Sequence, residues 1–206
     1  MQTVLFQGDS ITDAGRSREN DMFRGYGYAT MVAGELGYTH PGECTCINRG
    51  VSGDRVVDLL ARVKYDIINL QPDVMSILIG INDVWHEVSC GNGIAADKYV
   101  VLYDMLIQQI KEALPNIKIM ILEPFVLSGT ATESHWDYFR EETALRAQKA
   151  KSIAEKYDLC YVSLQDKFDA AAQLAPASHW LYDGVHPTAA GHTLIARAWM
   201  EAFQSL

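Results

Sequence analysis

The sequence has little positive charge and no long apolar run, and both shortages restrict the class of protein. There are 17 Lys and Arg residues against 26 Asp and Glu, a formal net charge of −9. Nucleic acids and anionic membranes attract basic surfaces, so we expect neither as a partner. No segment approaches the roughly 18 to 20 apolar residues that cross a bilayer. The start, Met1-Gln2-Thr3, lacks the basic region of a secretory signal, which favours a cytoplasmic location.

Cysteine is also scarce, with residues at 44, 46, 90 and 160 only. This spacing matches neither a disulfide framework nor a paired zinc motif. A metal site at Cys44 and Cys46 would need two further ligands, which the neighbouring sequence does not offer. We therefore expect free thiols, no metal and no cofactor.

The 206 residues, 49% of them hydrophobic, fit one globular domain over 1–206 without a low-complexity segment or linker. Short apolar runs alternate with amphipathic stretches, a pattern typical of βαβ units with a parallel sheet. The predicted strands are 3–7, 45–48, 73–78, 118–122 and 160–162. The fold class expected from this alternation is α/β, a three-layer α/β/α sandwich.

The amphipathic stretches predict helices between these strands. Their apolar positions are Val56, Leu60, Val63 and Ile67 in one helix, Tyr99, Leu102, Leu106 and Ile110 in the next, and Leu194, Ile195, Ala198, Ala202 and Phe203 in the last. A further helix is predicted over 141–157. The longest irregular stretches are 13–27, 85–96, 125–136 and 175–182, and we expect these loops to form the substrate walls.

Two short motifs at opposite ends of the chain indicate a nucleophile and its base. Gly8-Asp9-Ser10 ends an apolar run, a position that can leave a serine hydroxyl at the mouth of a sheet. Near the other end, two residues separate Asp183 from His186. One tight loop can then bring the carboxylate to imidazole Nδ1 and leave Nε2 to accept a proton from Ser10. The predicted catalytic residues are Ser10, Asp183 and His186.

Two further blocks, 48–53 (Asn-Arg-Gly-Val-Ser-Gly) and 80–83 (Gly-Ile-Asn-Asp), follow apolar segments in the same order. With them the chain resembles the SGNH (GDSL-type) hydrolases over nearly its whole length. The longer strings around Ser10, Asn82 and His186 are most similar to the intracellular acetylxylan esterases. The resemblance implies a parallel, flavodoxin-like five-stranded sheet, and it matches Gly53 and Asn82 to the family's glycine and asparagine.

Acyl transfer also needs donors for the developing oxyanion. The Ser10 N–H, the Gly53 N–H and the Asn82 side-chain amide are the predicted oxyanion-hole donors. Trp85, Trp180 and Tyr182 stand beside the Asn82 and Asp183 blocks and are the predicted substrate-binding residues, where a sugar ring can stack. The alternative for these three rings is packing beneath the loops.

Several polar residues near the blocks have less specific roles. We expect Asp9 to accept hydrogen bonds from loop amides, because it points away from Ser10. Arg16 and Arg55 either bind polar groups of the substrate or pair with nearby carboxylates. The remaining five histidines, at 40, 86, 135, 179 and 192, have no equally placed acid and are expected to be structural or surface residues.

The leading functional hypothesis is a metal-independent serine esterase that removes acetyl groups from a carbohydrate such as a xylo-oligosaccharide. A lysophospholipase or acyl thioesterase is the alternative within the same class. A metal-dependent phosphoesterase using Asp9, Asn82, Asp183 and His186 and a non-catalytic sugar-binding protein are the alternatives from other classes. The substrate is thus a small-molecule ester, and homo-oligomerisation is expected by analogy alone.

Overall fold

The computed structural model describes residues 1–206 and contains five strands and ten α-helices. The strands are β1 (Gln2–Gly8), β2 (Cys44–Asn48), β3 (Val74–Leu78), β4 (Lys118–Leu122) and β5 (Cys160–Val162). The helices are α1 (Ser10–Asp13), α2 (Tyr28–Thr39), α3 (Val56–Ala61), α4 (Val63–Asp66), α5 (Ile81–Cys90), α6 (Ala96–Ala113), α7 (Trp136–Tyr157), α8 (Gln165–Ala172), α9 (Ala177–Trp180) and α10 (Ala189–Phe203). Short 3-10 helices cover Ile68–Leu70 and Glu133–His135.

The five strands form one parallel sheet in the order β2-β1-β3-β4-β5. This is the flavodoxin-like strand order, and every predicted strand lies within one residue of its observed bounds. In the register, Val4 pairs with Cys46 on one side and Val74 on the other. The predicted α/β sandwich is confirmed, and all strands deliver their carboxyl ends to the same edge.

Two apolar clusters cover the two faces of the sheet, because successive side chains of a strand point to opposite sides. Val4 and Phe6 join one cluster of 27 buried residues, which includes side chains of α2, α8 and α10. Leu5 joins the other, of 20 buried residues, with side chains of α3, α6 and α7. Burying a large apolar side chain contributes about 1.5 to 3 kcal/mol, so both helix layers are held firmly against the sheet.

The helix predicted across Val56 and Ile67 is interrupted at Arg62, which separates α3 from α4. The Arg62 guanidinium donates to the Asp54 carboxylate at 2.7 Å and to the Arg49 carbonyl at 2.8 Å. These bonds hold its backbone at φ −108° and ψ 11°, outside a regular helix. The predicted apolar face is also corrected: Leu60, which was assigned to it, is only half-buried.

Three further differences concern helices and their faces. α7 begins at Trp136, five residues before the predicted start at 141, and α5 runs to Cys90 through part of the predicted irregular stretch 85–96. Leu102 is half-buried, unlike the core residues predicted on the same face. Trp199 of α10 is fully buried and was missing from the predicted apolar stripe.

All four cysteines are unpaired, as predicted. No group of three or more His, Cys, Asp or Glu side chains is close enough together to hold a metal ion. None of the helices is both long and apolar enough to span a membrane.

Candidate active site

Ser10 stands at the carboxyl edge of the sheet because β1 stops at a residue that only glycine can occupy. Gly8 has φ +154°, and a Cβ there would lie 2.3 Å from the Leu78 carbonyl oxygen and 2.4 Å from Thr12 Oγ1. Asp9 then caps α1, with its Oδ1 accepting the Ile11 N–H at 3.0 Å. Asp9 was expected to accept hydrogen bonds from loop amides; the amide that it binds belongs instead to the first turn of α1. Ser10 becomes the first residue of the short helix.

Ser10, His186 and Asp183 form a continuous chain of hydrogen bonds. Ser10 Oγ lies 2.9 Å from His186 Nε2, and His186 Nδ1 lies 2.7 Å from Asp183 Oδ2. The other carboxylate oxygen of Asp183 accepts the N–H groups of Val185 at 2.9 Å and His186 at 2.8 Å. The carboxylate therefore fixes both the loop and the imidazole ring, as the spacing predicted.

This arrangement shifts the pKa values of both titratable members. Burial opposes ionisation of Asp183, but hydrogen bonds from the His186 ring and from the His186 and Val185 N–H groups outweigh it and lower the Asp183 pKa. The Asp183 hydrogen bond raises the pKa of His186 above its ordinary value, against the opposing effect of burial. The imidazole is thus a stronger proton acceptor than an isolated histidine.

A loop that the sequence did not connect with the base supports the Asp183 turn. The Leu127 N–H donates to the Gly184 carbonyl at 2.9 Å, and the Ala131 N–H donates to the Asp183 carbonyl at 2.9 Å. Gly184 has φ +99°, and a Cβ there would lie 2.6 Å from both the Leu127 carbonyl and Thr132 Oγ1. Residues 127–132 therefore support the turn that carries Asp183 and His186.

The block 50–53 is tied directly to the serine helix. The Val51 N–H donates to the Gly8 carbonyl at 3.0 Å, and both the N–H and the hydroxyl of Ser52 donate to Asp13 Oδ2 at 3.0 Å. The sequence analysis did not identify Asp13, whose carboxylate binds Ser52 and so holds the block 50–53 against α1. Only its position in α1, one turn after Ser10, could have indicated this role. These bonds place Gly53 next to the nucleophile's helix.

Asn82 joins the same group of loops from α5. Its side-chain Nδ2 donates one hydrogen bond to the Asp54 carbonyl at 3.1 Å, which leaves the second amide hydrogen available. The neighbouring Asp83 is buried, accepts the Val56 N–H at 3.2 Å and has its pKa raised to about 8 by burial. Two adjacent residues of α5 therefore fasten the segment after Gly53.

The backbone N–H groups of Ser10 and Gly53 donate to no other protein atom. Gly53 has φ +87°, a conformation that favours glycine. Buried or half-buried N–H groups are normally paired, so these two unpaired N–H groups are suited to bind an oxygen atom. The Asn82 amide also has a spare hydrogen, and the three predicted oxyanion donors lie on segments that are hydrogen-bonded to one another.

Two of the three predicted substrate aromatics flank the His186 ring. The Tyr182 ring stacks at 5.6 Å between centroids with 15° between planes, and the Trp85 ring lies at 5.7 Å. Trp180 departs from the prediction, because its indole packs on the core with α8 and α10 and lines a groove that contains no other site residue. Trp180 is the last residue of α9. Its ring therefore packs with the helices, although the residue is close to Asp183 in the sequence.

The remaining polar residues have separate roles. Burial raises the pKa of Asp9 to about 7. Arg55 pairs with Asp58, with 3.0 Å between Nε and Oδ2. His192 Nδ1 accepts the Tyr28 N–H at 3.2 Å, and burial lowers the His192 pKa to about 4. His192 is therefore neutral at pH 7 and links α10 to α2.

A serine, a histidine and a carboxylate joined in series, beside free N–H donors at the carboxyl edge of a parallel sheet, define a hydrolase of the acyl-transfer class. The GDSL-like lipase/acylhydrolase family model matches residues 6–194. The chain belongs to this family and is a carboxylic ester hydrolase. The resemblance noted from the sequence motifs is thereby confirmed.

Similar proteins agree with this assignment. An acetylxylan esterase of Geobacillus stearothermophilus is 34% identical over 208 residues, covering 97% of this chain and 92% of its own length. The crystal structure of an acetylxylan esterase from that organism has a TM-score of 0.88 at 32% identity, covering 98% of this chain and 93% of its own. A Parabacteroides merdae protein assigned as a GDSL-like lipase has a TM-score of 0.94 at 39% identity, covering 98% and 95%.

Proposed function

We propose that this protein is a serine esterase that removes O-acetyl groups from carbohydrates, xylo-oligosaccharides in particular, through an acyl-enzyme intermediate. The hydrogen-bond chain Ser10–His186–Asp183 is the observation that carries the proposal. These two hydrogen bonds, of 2.9 and 2.7 Å, are the ones that a nucleophile, its base and the carboxylate that orients the base would use in acyl transfer.

In the first half of the reaction, Ser10 Oγ attacks the acetyl carbonyl carbon while His186 Nε2 accepts the hydroxyl proton. The carbonyl π pair moves to oxygen, and the N–H groups of Ser10 and Gly53 with the Asn82 amide stabilise that oxyanion. Collapse of the tetrahedral intermediate breaks the ester C–O bond, and His186 returns the proton to the leaving sugar hydroxyl. Asp183 holds the imidazole and stabilises its positive charge during both transfers.

In the second half, water replaces the sugar hydroxyl. His186 Nε2 takes one proton from water as its oxygen attacks the acetyl carbonyl of the acyl-enzyme, and the same three donors stabilise the oxyanion. When the Ser10 Oγ–carbon bond breaks, His186 returns the proton to Ser10. Acetic acid leaves and loses its proton to water as acetate, and the free Ser10 hydroxyl is restored.

Three observations support a small acyl group on a sugar. Trp85 and Tyr182 flank His186 with rings on which a sugar can pack, and Tyr182 is 55% exposed. Five of the eleven cavities, with volumes from about 380 to 690 Å³, have neither Ser10 nor His186 in their walls, so none of these five is an acyl tunnel at Ser10. A relative of 34% identity is named an acetylxylan esterase. We further propose action in the cytoplasm, which the unpaired cysteines support.

The proposal is tested by acetate release from acetylated xylo-oligosaccharides with EDTA present. We expect release to continue at the rate measured without chelator, because the proposed chemistry uses only side chains and backbone N–H groups. Heat-denatured protein serves as the blank. Failure to release acetate from any acetylated saccharide, with activity retained on simple esters, would contradict the carbohydrate substrate.

Acyl chain length should discriminate this proposal from a lysophospholipase or acyl thioesterase. Across p-nitrophenyl esters from acetyl to dodecanoyl, we expect kcat/KM to be highest for acetyl and to fall steeply by octanoyl. A site shaped for an acetyl group would leave the longer chain in water, at about 0.8 kcal/mol for each unburied CH₂. A maximum at octanoyl or longer esters would favour the lipid or thioester alternative.

Removing the side-chain donor of the oxyanion hole should act on turnover rather than on binding. Asn82→Ala is expected to lower kcat by about 10² to 10³ with little change in KM, because the amide interacts most strongly with developing negative charge. Asn92→Ala is the matched control, since that exposed side chain lies outside the site, and it should keep the wild-type kcat. A rise in KM alone for Asn82→Ala would instead place the amide in substrate binding.

A further inference from the structure

A cavity of about 430 Å³ beside the block 50–53 is lined by three arginines, although the protein as a whole has a net charge of −9. We call it the arginine pocket. Its lining residues are Arg16, Arg18, Arg49, Val51, Tyr65 and Asp66. The mechanism proposed above uses none of them.

Two of the three guanidinium groups in the arginine pocket already have carboxylate partners. Arg18 pairs with Asp13, with 2.6 Å between Nη2 and Oδ2. Arg49 pairs with both oxygens of Asp21, and its Nε lies 3.6 Å from Asp66 Oδ1. The charges of these two side chains are therefore balanced inside the protein.

Arg16 is the exception, because no carboxylate lies within salt-bridge distance of its guanidinium. Its Nε donates to the Gly50 carbonyl at 2.7 Å and its Nη1 to the Ser17 carbonyl at 3.2 Å, while Nη2 has no protein acceptor. The side chain is half-buried, and burial, followed by repulsion from Arg18, lowers its pKa to about 10. Nη2 is not buried without a partner, so water can hydrate it, and an anion there would supply the acceptor that the protein does not.

The arginine pocket is continuous with the proposed oxyanion loop. Arg16 and Arg18 both donate to the Gly50 carbonyl, at 2.7 and 2.9 Å, and Val51 forms part of the wall. Gly53, three residues after Gly50, carries one of the N–H groups proposed for the oxyanion hole. A group bound at Nη2 of Arg16 would therefore lie against the same loop as an ester bound at the proposed oxyanion hole.

We propose that the arginine pocket binds the carboxylate of a uronic acid unit carried by the acetylated saccharide. The guanidinium fork recognises carboxylate and phosphate oxygens alike. Arg16 Nη2 has no protein acceptor, and a carboxylate oxygen is an acceptor that it can bind. The link to catalysis rests on the proposed esterase function; the carboxylate site itself does not.

The binding site is tested in the Ser10→Ala protein, which cannot turn over, by heteronuclear NMR titration with D-glucuronate and with D-glucose. These two sugars differ only at C6, where glucuronate has a carboxylate and glucose has a hydroxymethyl group. We expect saturable shifts of residues 16–18 and 50–51 with glucuronate and none with glucose. Adding Arg16→Gln should weaken glucuronate binding about tenfold or more, and Arg16→Lys should weaken it less because the charge remains. Arg197→Gln, on the exposed surface of α10, is the control and should bind like its parent.

A hydrolysis assay is the second test of the arginine pocket. Wild-type protein is compared on an acetylated xylo-oligosaccharide with a uronic acid branch and on the same oligosaccharide without it. We expect a higher kcat/KM for the branched substrate, and the ratio of the two values should fall towards one in Arg16→Gln. The ratio is used because any movement of the Gly50 loop affects both substrates alike.

Equal response to glucuronate and glucose, or glucuronate binding that survives Arg16→Gln, would overturn the proposal. Tighter binding of inorganic phosphate than of glucuronate would assign the pocket to a phosphate instead and would also overturn it. A change in sedimentation mass in Arg16→Gln would place this pocket at a contact between copies of the chain and would also overturn the proposal. If glucuronate fails to bind while wild-type protein still releases acetate, the esterase proposal stands without this site.

Discussion

Ser10→Ala is expected to abolish hydrolysis of p-nitrophenyl acetate, with a loss in kcat of about 10⁶. Without Oγ no acyl-enzyme forms, and the oxyanion donors alone accelerate attack by water only weakly. Stability should change little, because the Ser10 side chain is half-buried and its one side-chain hydrogen bond is to His186. The measurement is kcat/KM together with the unfolding temperature of both proteins.

Covalent labelling gives the positive evidence for the same serine. A fluorophosphonate should react with wild-type protein and modify the peptide that contains Ser10. Ser152→Ala is the matched control, because that hydroxyl is exposed on α7 and bonds only the Lys149 carbonyl; it should keep full activity and full labelling. Normal turnover by folded Ser10→Ala would remove the proposed nucleophile.

The sequence predicted the sheet and the meeting point of the blocks for a simple physical reason. The blocks at Ser10, 48–53 and 80–83 each follow an apolar strand, and parallel strands place all their carboxyl ends at one edge. The strand order implied by the family resemblance makes β1 and β3 neighbours, which brings the segment after β1, with Ser10, near the segment after β3, with Asn82. The turn with Asp183 and His186 follows α9 and not a strand. The spacing of Asp183 and His186 then defined a local turn that the structure forms with 2.7 Å between the carboxylate and the imidazole.

The parts that the sequence did not reveal depend on contacts between distant loops. Trp180 is adjacent to the catalytic turn in sequence, yet it ends α9 and packs with α8 and α10. Asp13 has no motif of its own, and its role depends on Ser52, which lies 39 residues later. Sequence patterns report periodicity and local spacing. The positions of Trp180 and Asp13 depend instead on tertiary contacts with segments that are distant in the sequence.

The break at Arg62 has the same origin. Its apolar neighbours suggest one continuous helix, and an arginine is a good helix former. The guanidinium instead binds Asp54, the Arg49 carbonyl and Asp66, three groups on separate segments. Tertiary bonds to a charged side chain therefore override the local preference, and they hold the segment that carries Gly53.

His186→Ala should have an effect as large as that of the serine variant. We expect kcat to fall by about 10⁶, because removing either the nucleophile or the base disables the same proton-coupled attack. In wild-type protein we expect activity to fall on the acidic side of the pH profile as His186 is protonated, and we call this fall the acidic limb. The residual activity of His186→Ala should lack it, since no imidazole remains to be protonated. The matched control is His179→Ala, an exposed histidine near the same loop, which should keep the wild-type rate. A retained acidic limb in His186→Ala would mean that another group acts as the base.

The pH profile of wild-type protein should reflect the environment of His186. Its raised pKa means that the imidazole becomes protonated at a higher pH than an ordinary histidine. Activity needs the neutral ring, so kcat/KM should fall as the pH decreases through a value above about 6.5, the unperturbed pKa of histidine.

Asp183→Asn should distinguish the contribution of the Asp183 carboxylate, which orients the ring, from that of the His186 imidazole, which acts as the base. We expect kcat to fall by about 10⁴, because an amide no longer holds the tautomer that leaves Nε2 free. The acidic limb should remain and move to lower pH, because the carboxylate that raises the His186 pKa is gone. Asp137→Asn, an exposed residue of α7, is the control and should change neither rate nor profile. If Asp183→Asn lowered the rate but left the limb in place, the carboxylate would support the loop through its backbone bonds to Val185 and His186 alone.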